Sequence, residues 1–145
     1  MIQKMFYIIS SCFFIGNLKG GGTIISFIFC IICFIFNLSD INLIIILFIV
    51  LLFSVISIEY SRIFIGDDSR IVADELIGII VSLLFLPKSV LISIAAFILF
   101  RYFDIAKPLF IKYVEKIKGP AGIILDDVIS ALAANVLVRI IIWAL

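Results

Sequence analysis

The sequence predicts an all-α fold, a polytopic membrane-embedded helical bundle with short hairpin helices, built as a single domain over residues 1–145. Three observations lead there. The 145 residues are 66% hydrophobic and only 14% charged, with a mean hydropathy of +1.43, whereas soluble domains run close to half apolar and a quarter charged. The apolar residues fall into runs at 5–15, 23–36, 41–58, 76–87, 89–100 and 121–143, whose composition and lengths of about ten residues or more favour helices over strands. Polar connectors separate these runs, and no internal repeat or low-complexity linker divides the chain.

The first run follows Lys4 and so imitates a secretory signal, but "NLKGGGT" (17–23) offers no small-residue cleavage pattern, and the run reads as part of the mature protein. Only 41–58 and 121–143 approach the roughly 20 residues needed to cross a bilayer. The shorter runs therefore pair. "NLSDIN" (37–42) reads as the turn between 23–36 and 41–58, and "FLPKSV" (85–90) as a tight turn between 76–87 and 89–100. Folding each pair back places 16–22, 59–75 and 101–120 on one side. Arg101, Lys107, Lys112, Lys116 and Lys118 make that side cytoplasmic by the positive-inside tendency, while the opposite side carries little charge beyond Asp40 and Lys88.

Composition also excludes functions. A net charge of +1 spread along the chain, with aromatic residues concentrated as Phe in apolar runs, argues against nucleic-acid binding. Cys12, Cys30 and Cys33 include a CxxC spacing, but the chain has no histidine to complete a mixed site, so they read as small buried hydrophobes rather than redox or zinc ligands.

The acidic residues carry the chemistry. "GDDSRIVADELIG" (66–78) supplies Asp67, Asp68, Asp74 and Glu75, "LFRYFDIAKPLF" (99–110) adds Asp104, and "AGIILDDVISALAANVL" (121–137) sets Asp126 and Asp127 inside an apolar run. An ionised side chain in a lipid-facing helix costs roughly 2.5–3.5 kcal/mol, so an adjacent pair requires compensation. At 1.5 Å per residue from Ala121, Asp126 lies only about 8 Å into its helix, near the same surface as the other acids. An all-oxygen cluster suits a hard cation, Mg²⁺ before Ca²⁺ or Mn²⁺. Neighbours on a helix point about 100° apart, so each acidic pair supplies one direct ligand and one group that supports a ligand or faces the substrate.

Each group taken singly has an ordinary alternative. Asp74 and Glu75 suit a helix N-terminus, Asp67 and Asp68 suit a loop, and Arg101 with Asp104 suits a helix-face pair. Arg101 and Lys107 are also the cations best placed for an anionic substrate. Lys112, Lys116 and Lys118 read as an interfacial stripe on anionic lipid. "KGGGT" (19–23) is either a flexible loop or a backbone nest for an anion.

In order along the chain, "DDSRIVADELIGIIVSLLFLP", "FRYFDIAKPLFI" and "GPAGIILDDVISAL" resemble the phosphatidylglycerophosphatase A family, whose members look like "D…IVxDExxGM…LP", "FRxFDxxKPxPI" and "GGxGIMxDDxxAG". The resemblance covers about residues 60–135 and includes Asp67, Asp74, Glu75, Arg101, Asp104, Lys107, Asp126 and Asp127. There are departures. The family's early "PGTxGS" reads "GGTIIS" here, retaining Thr23 and Ser26, and Phe110 stands where a second proline is expected.

The resemblance implies a Mg²⁺-dependent phosphatase of the bacterial inner membrane, with its site on the cytoplasmic side. It would remove the terminal phosphate of phosphatidylglycerophosphate and leave phosphatidylglycerol. On that reading Asp74, Glu75, Asp126 and Asp127 hold the metal, Arg101, Lys107 and Thr23 bind the substrate, and Asp67, Asp104 and Asp127 act catalytically. Water and a carboxylate both stand as the nucleophile. Rival readings are a small cation- or proton-coupled transporter, with acids spread through the membrane depth, and an assembly subunit, with Asp126 and Asp127 paired to a partner's basic helix. A CDP-alcohol phosphotransferase is a further relative in chemistry, but its "DGxxAR" signature is absent.

Overall fold

The computed structural model describes residues 2–60, 70–108, 111 and 120–144. Among them are six α-helices and no strand: α1 (Ile2–Ser10), α2 (Gly21–Ile35), α3 (Asp40–Tyr60), α4 (Ala73–Leu83), α5 (Val90–Ala106) and α6 (Pro120–Ala144), with a 3₁₀ turn at Ile15–Asn17.

The turn after α2 follows from its residues. Asn37 adopts a left-handed φ of 45°, a conformation asparagine tolerates better than most. The Leu38 N–H then donates to Cys33 O at 3.2 Å and the Asn37 N–H to Phe34 O at 3.4 Å, which together close α2 as a Schellman motif. Two residues on, the Ser39 hydroxyl accepts the Asn42 N–H at 3.3 Å and caps α3. "NLSDIN" thus stops one helix and starts the next, as its composition suggests. The α4–α5 reversal uses Phe85 at φ 57° just before Pro87. Both turns lie at one end of the molecule, where Lys88 Nζ meets Asp40 at 2.6 Å and the Phe85 N–H donates to Asp40 at 3.0 Å.

Two boundaries differ from the apolar runs. α5 continues beyond 100 through Arg101 and Asp104 to Ala106, because an ion pair three residues apart lets the helix carry charge at its end. The first run breaks at Ser10, and Cys12, Phe13 and Phe14 then turn the chain in the left-handed region.

α4 is the axis of the bundle. It packs against α2, α3 and α5, and most extensively against α6, so that nearly all its side chains are buried. A helix apolar on all sides is one covered on all sides. Gly78 makes the closest approach possible: a Cβ there would stand 2.4 Å from the Phe100 ring of α5 and 3.4 Å from Cβ of Asp127 on α6. At the far end, Asn135 of α6 donates to Ser82 O and Leu84 O, both at 2.9 Å. Arg139 donates to Asn135 Oδ1 at 2.7 Å, to Leu84 O at 3.2 Å and to Phe85 O at 3.1 Å.

The outer helices are the reverse of α4. Asp40–Ser57, with mean hydropathy 2.6, and Ile124–Ala144, with 1.8, are long and apolar enough to cross a membrane. Only 17% and 33% of these segments are buried within the protein, whereas an apolar core helix of a soluble protein would be mostly covered. Phe48 and Trp143 stay 69% and 89% exposed, among many large apolar side chains left uncovered, which call for an apolar environment.

Candidate metal centre

The site forms where the head of α4 meets α6, α5 and the first turn of α2. The chain enters α4 through Val72, whose N–H donates to Ser10 O at 3.0 Å. Asp74 and Glu75 then occupy the first turn, where the exposed helix N–H groups favour carboxylates. Across from them, Asp127 projects from α6, and the three residues offer oxygens that all lie within 4.8 Å of one another. α2 comes close because it has no side chain at the contact: a Cβ on Gly22 would stand 1.9 Å from Glu75 Oε1. Ser26, one turn further, donates to Gly22 O at 2.8 Å.

Cations surround the acids. Arg101 Nη1 lies 2.7 Å from Asp104 and 4.0 Å from Glu75, and its guanidinium stands 5.7 Å from the centre of the Phe100 ring. Lys107 ends α5 in a left-handed conformation, φ 40°, and its Nζ lies 3.0 Å from Asp126 Oδ2. The other oxygen of Asp126 accepts the Asp127 N–H at 3.0 Å. The adjacent aspartates therefore face different partners: Asp127 points to the α4 acids, Asp126 to Lys107.

Three close carboxylates cannot all remain charged without a counter-charge. Burial, and then the neighbouring Glu75 carboxylate, pushes Asp74 well above the usual carboxylate range. Burial also raises Glu75, against the opposing pull of Asp74 and Arg101. Glu75 Oε2 and Asp127 Oδ2 are buried with no hydrogen-bond partner among the described residues. Unpaired buried oxygens in an all-carboxylate set are what a hard divalent cation satisfies, so the residues fit such an ion.

The structure thus brings together Asp74, Glu75, Arg101, Asp104 and Asp127, with Lys107 and Asp126 alongside. Thr23 is exposed on the first turn of α2, beside Gly22. Asp67, Asp68, Lys112, Lys116 and Lys118 lie outside the described residues. Sequence reasoning took Gly22 only as part of a glycine run read as a loop or an anion nest and did not single out Gly78; the role of each depends on helices packed from elsewhere in the chain. It also passed over Asn135 and Arg139, although two polar residues four apart in an apolar helix were a visible signal. The cysteines are free. Burial and the nearby Glu75 push the Cys12 thiol up to about 12, so it stays protonated and unreactive.

A carboxylate cluster shared by two helices of an apolar bundle, with arginine and lysine beside it, defines a helical protein equipped to hold a hard cation next to an anionic group. The chain belongs to the phosphatidylglycerophosphatase A family, whose model matches residues 8–142. It is 43% identical over 74 residues to a Haemophilus influenzae protein named phosphatidylglycerophosphatase A, covering 50% of this chain and 45% of that one. It is 39% identical over 82 residues to a Bacteroides thetaiotaomicron protein provisionally named a phosphatidylinositol-3-phosphatase, covering 54% of this chain and 52% of the other. The matches thus span about half the length of these curated relatives. No solved structure matches the chain.

Proposed function

We propose that the protein is a Mg²⁺-dependent lipid phosphatase that hydrolyses phosphatidylglycerophosphate to phosphatidylglycerol and phosphate. It would work as a polytopic protein of the bacterial inner membrane, with its site at the cytoplasmic surface. The observation that carries this reading is the meeting of Asp74, Glu75 and Asp127 within 4.8 Å, with two of their oxygens buried and unpaired. Family membership supports the phosphatase class, and the names of both relatives share a phosphate ester on a lipid head group.

Asp74, Glu75 and Asp127 would hold the ion, which supplies charge neutralisation for the phosphoryl oxygens and a more acidic water. The protein's own groups do the rest. Arg101, kept in place by Asp104, stabilises charge spread over the equatorial oxygens. Asp126 holds Lys107 at the same rim, where its ammonium group offers a second contact to the phosphate. Asp104 takes the proton of the attacking water as the new O–P bond forms. The P–O bond to the glycerol then breaks, and the departing alkoxide takes up a proton, which Asp104 can return. Asp67 remains a candidate for that last step, and Thr23 for a contact to the head group.

The test uses the full chain in lipid nanodiscs. Phosphatidylglycerophosphate, phosphatidylinositol 3-phosphate and phosphatidic acid are each incubated with Mg²⁺ or with EDTA, and free phosphate is measured. Release from phosphatidylglycerophosphate that EDTA abolishes is expected. No release from any of the three with Mg²⁺ present would end the reading. A cation- or proton-coupled transporter is not favoured, because the described acids gather at one end of α4 and α6 while Asp40, at the other end, is paired with Lys88.

A further inference from the structure

α2 and α3 are joined by a four-residue turn, yet they do not pack along their lengths; each packs on α4, and α3 on α1 as well. Between them lies a slot of about 480 Å³ that is almost wholly apolar. Ile25, Ile28 and Phe29 form its α2 wall, Ile49, Val50 and Phe53 its α3 wall, and Cys12 and Phe13 of the turn after α1 also line it. Its floor is Ala73 and Leu76 of α4, the residues on either side of Asp74 and Glu75.

We propose that this slot holds one acyl chain of the lipid substrate and so fixes where the head group meets the acids. The proposal rests on the lipid phosphatase reading and specifies which surface of the bundle recognises the tail. Three observations select this occupant. The floor residues Ala73 and Leu76 bracket the acidic pair in the first turn of α4, so a chain lying in the slot keeps its ester end within about a helical turn of the acids. Gly22, which touches Glu75, shares its buried face of α2 with Ile25 and Phe29, so the wall begins one turn below the site. From Ile25 to Ile32 the wall runs about 10 Å along the helix, a length suited to an extended hydrocarbon rather than a compact ligand. Burying the methylenes of the chain is favourable, so this contact also explains why a reaction confined to the head group needs a membrane-embedded enzyme.

Two measurements test it on the full chain in nanodiscs. In the first, phosphatidylglycerophosphate carrying a photoactivatable diazirine on one acyl chain is cross-linked and the labelled residues are mapped. Labelling concentrated on the slot walls and competed by unlabelled phosphatidylglycerophosphate, but not by phosphatidylcholine, is expected. Labelling of the outer α3 face around Phe48 as strong as that of Ile49 overturns the proposal, because the slot then holds bulk lipid. In the second, Ile28→Trp and Ile49→Trp narrow the slot at partly exposed positions, with Phe48→Trp as the control. The slot variants are expected to raise KM for the dipalmitoyl substrate about tenfold, equivalent to 1.4 kcal/mol. Phe48→Trp, outside the slot, should leave KM for the same substrate unchanged. An unchanged KM for the long-chain lipid in both slot variants overturns the proposal. Cross-linking is readable without turnover, so slot labelling with no phosphate release would remove the catalytic reading and leave the binding site standing.

Discussion

The two ends of α4 are built on opposite principles. At its tail, Asn135 and Arg139 of α6 donate to Ser82 O, Leu84 O and Phe85 O, the carbonyls a helix C-terminus leaves without internal partners. At its head, Asp74 and Glu75 face Asp127 of the same α6, acid against acid, with two oxygens buried and unpaired. The same pair of helices is bound together at one end and repelled at the other. The tail and the Gly78–Phe100 contact hold the helices close enough for the head to remain an unfilled demand for positive charge. A site with every polar group already satisfied would have nothing to offer a cation; one without the tail would relax by spreading apart.

Asp127→Asn should break the head while leaving the tail intact. Phosphate release at saturating Mg²⁺ is expected to fall about a thousandfold, corresponding to several kcal/mol of lost charge stabilisation. Without metal, Tm should stay the same or rise, because a repulsive charge has gone. Retained activity, or a fall in Tm as large as that from a core mutation, would mean the head is structural.

Gly22→Ala tests whether glycine exists there to admit Glu75. The new methyl group collides with the carboxylate, and the Mg²⁺ concentration for half-maximal activity should rise about 10–100-fold, with little change in Tm. The pH dependence follows from the raised Asp74 and Glu75. Without metal these groups keep protons at pH values where free carboxylates would be ionised, and a cation must displace them. The apparent Mg²⁺ affinity should therefore rise with pH, by about tenfold per unit for each proton displaced. The metal-free protein should show the reverse trend. Its folded-state pKa values are raised, so the stability present below the unfolded-state values is lost as pH rises through them. Titrations of activity against Mg²⁺ at several pH values, and metal-free melts over the same range, measure both.

At the tail the expected effects are on stability alone. Asn135→Leu leaves the Ser82 and Leu84 carbonyls short of a donor and should cost about 1–3 kcal/mol, seen as a lower Tm with unchanged turnover at saturating Mg²⁺. Lys88→Met removes a half-exposed ion pair with Asp40 and should cost no more than about 1 kcal/mol. Loss of turnover from either would join the two ends in a way the packing does not suggest.

Much of the fold is legible in the residues. The two segments long enough to span are the two that the apolar runs mark, 41–58 and 121–143, and "NLSDIN" carries both a helix stop in Asn37 and a helix start in Ser39. These signals are local: hydrophobic run length, a left-handed asparagine and a capping serine each act within a few residues. The acid types were legible too, because a carboxylate pair inside an apolar run demands a partner. That an adjacent pair splits its roles was legible from the angle of about 100° between helical neighbours, but which aspartate takes which partner was not. "DD" looks symmetrical in sequence, but the helix turns Asp127 to the α4 acids and Asp126 to Lys107. The glycine run was readable as a loop or an anion nest; in the structure Gly22 receives the protein's own Glu75.

The sequence by itself determined that this is a helical, strongly apolar chain whose acids, carried on separate segments, must find compensation. Tertiary structure decided which oxygens meet, which helix is the buried axis, and that α2 and α3 part to leave a slot beside the acids. The physical reason is one of range. Hydropathy and capping are properties of neighbours along the chain, whereas the distance between carboxylates on α4 and α6 depends on how closely helices can approach, and that depends on where a side chain is missing opposite a bulky one.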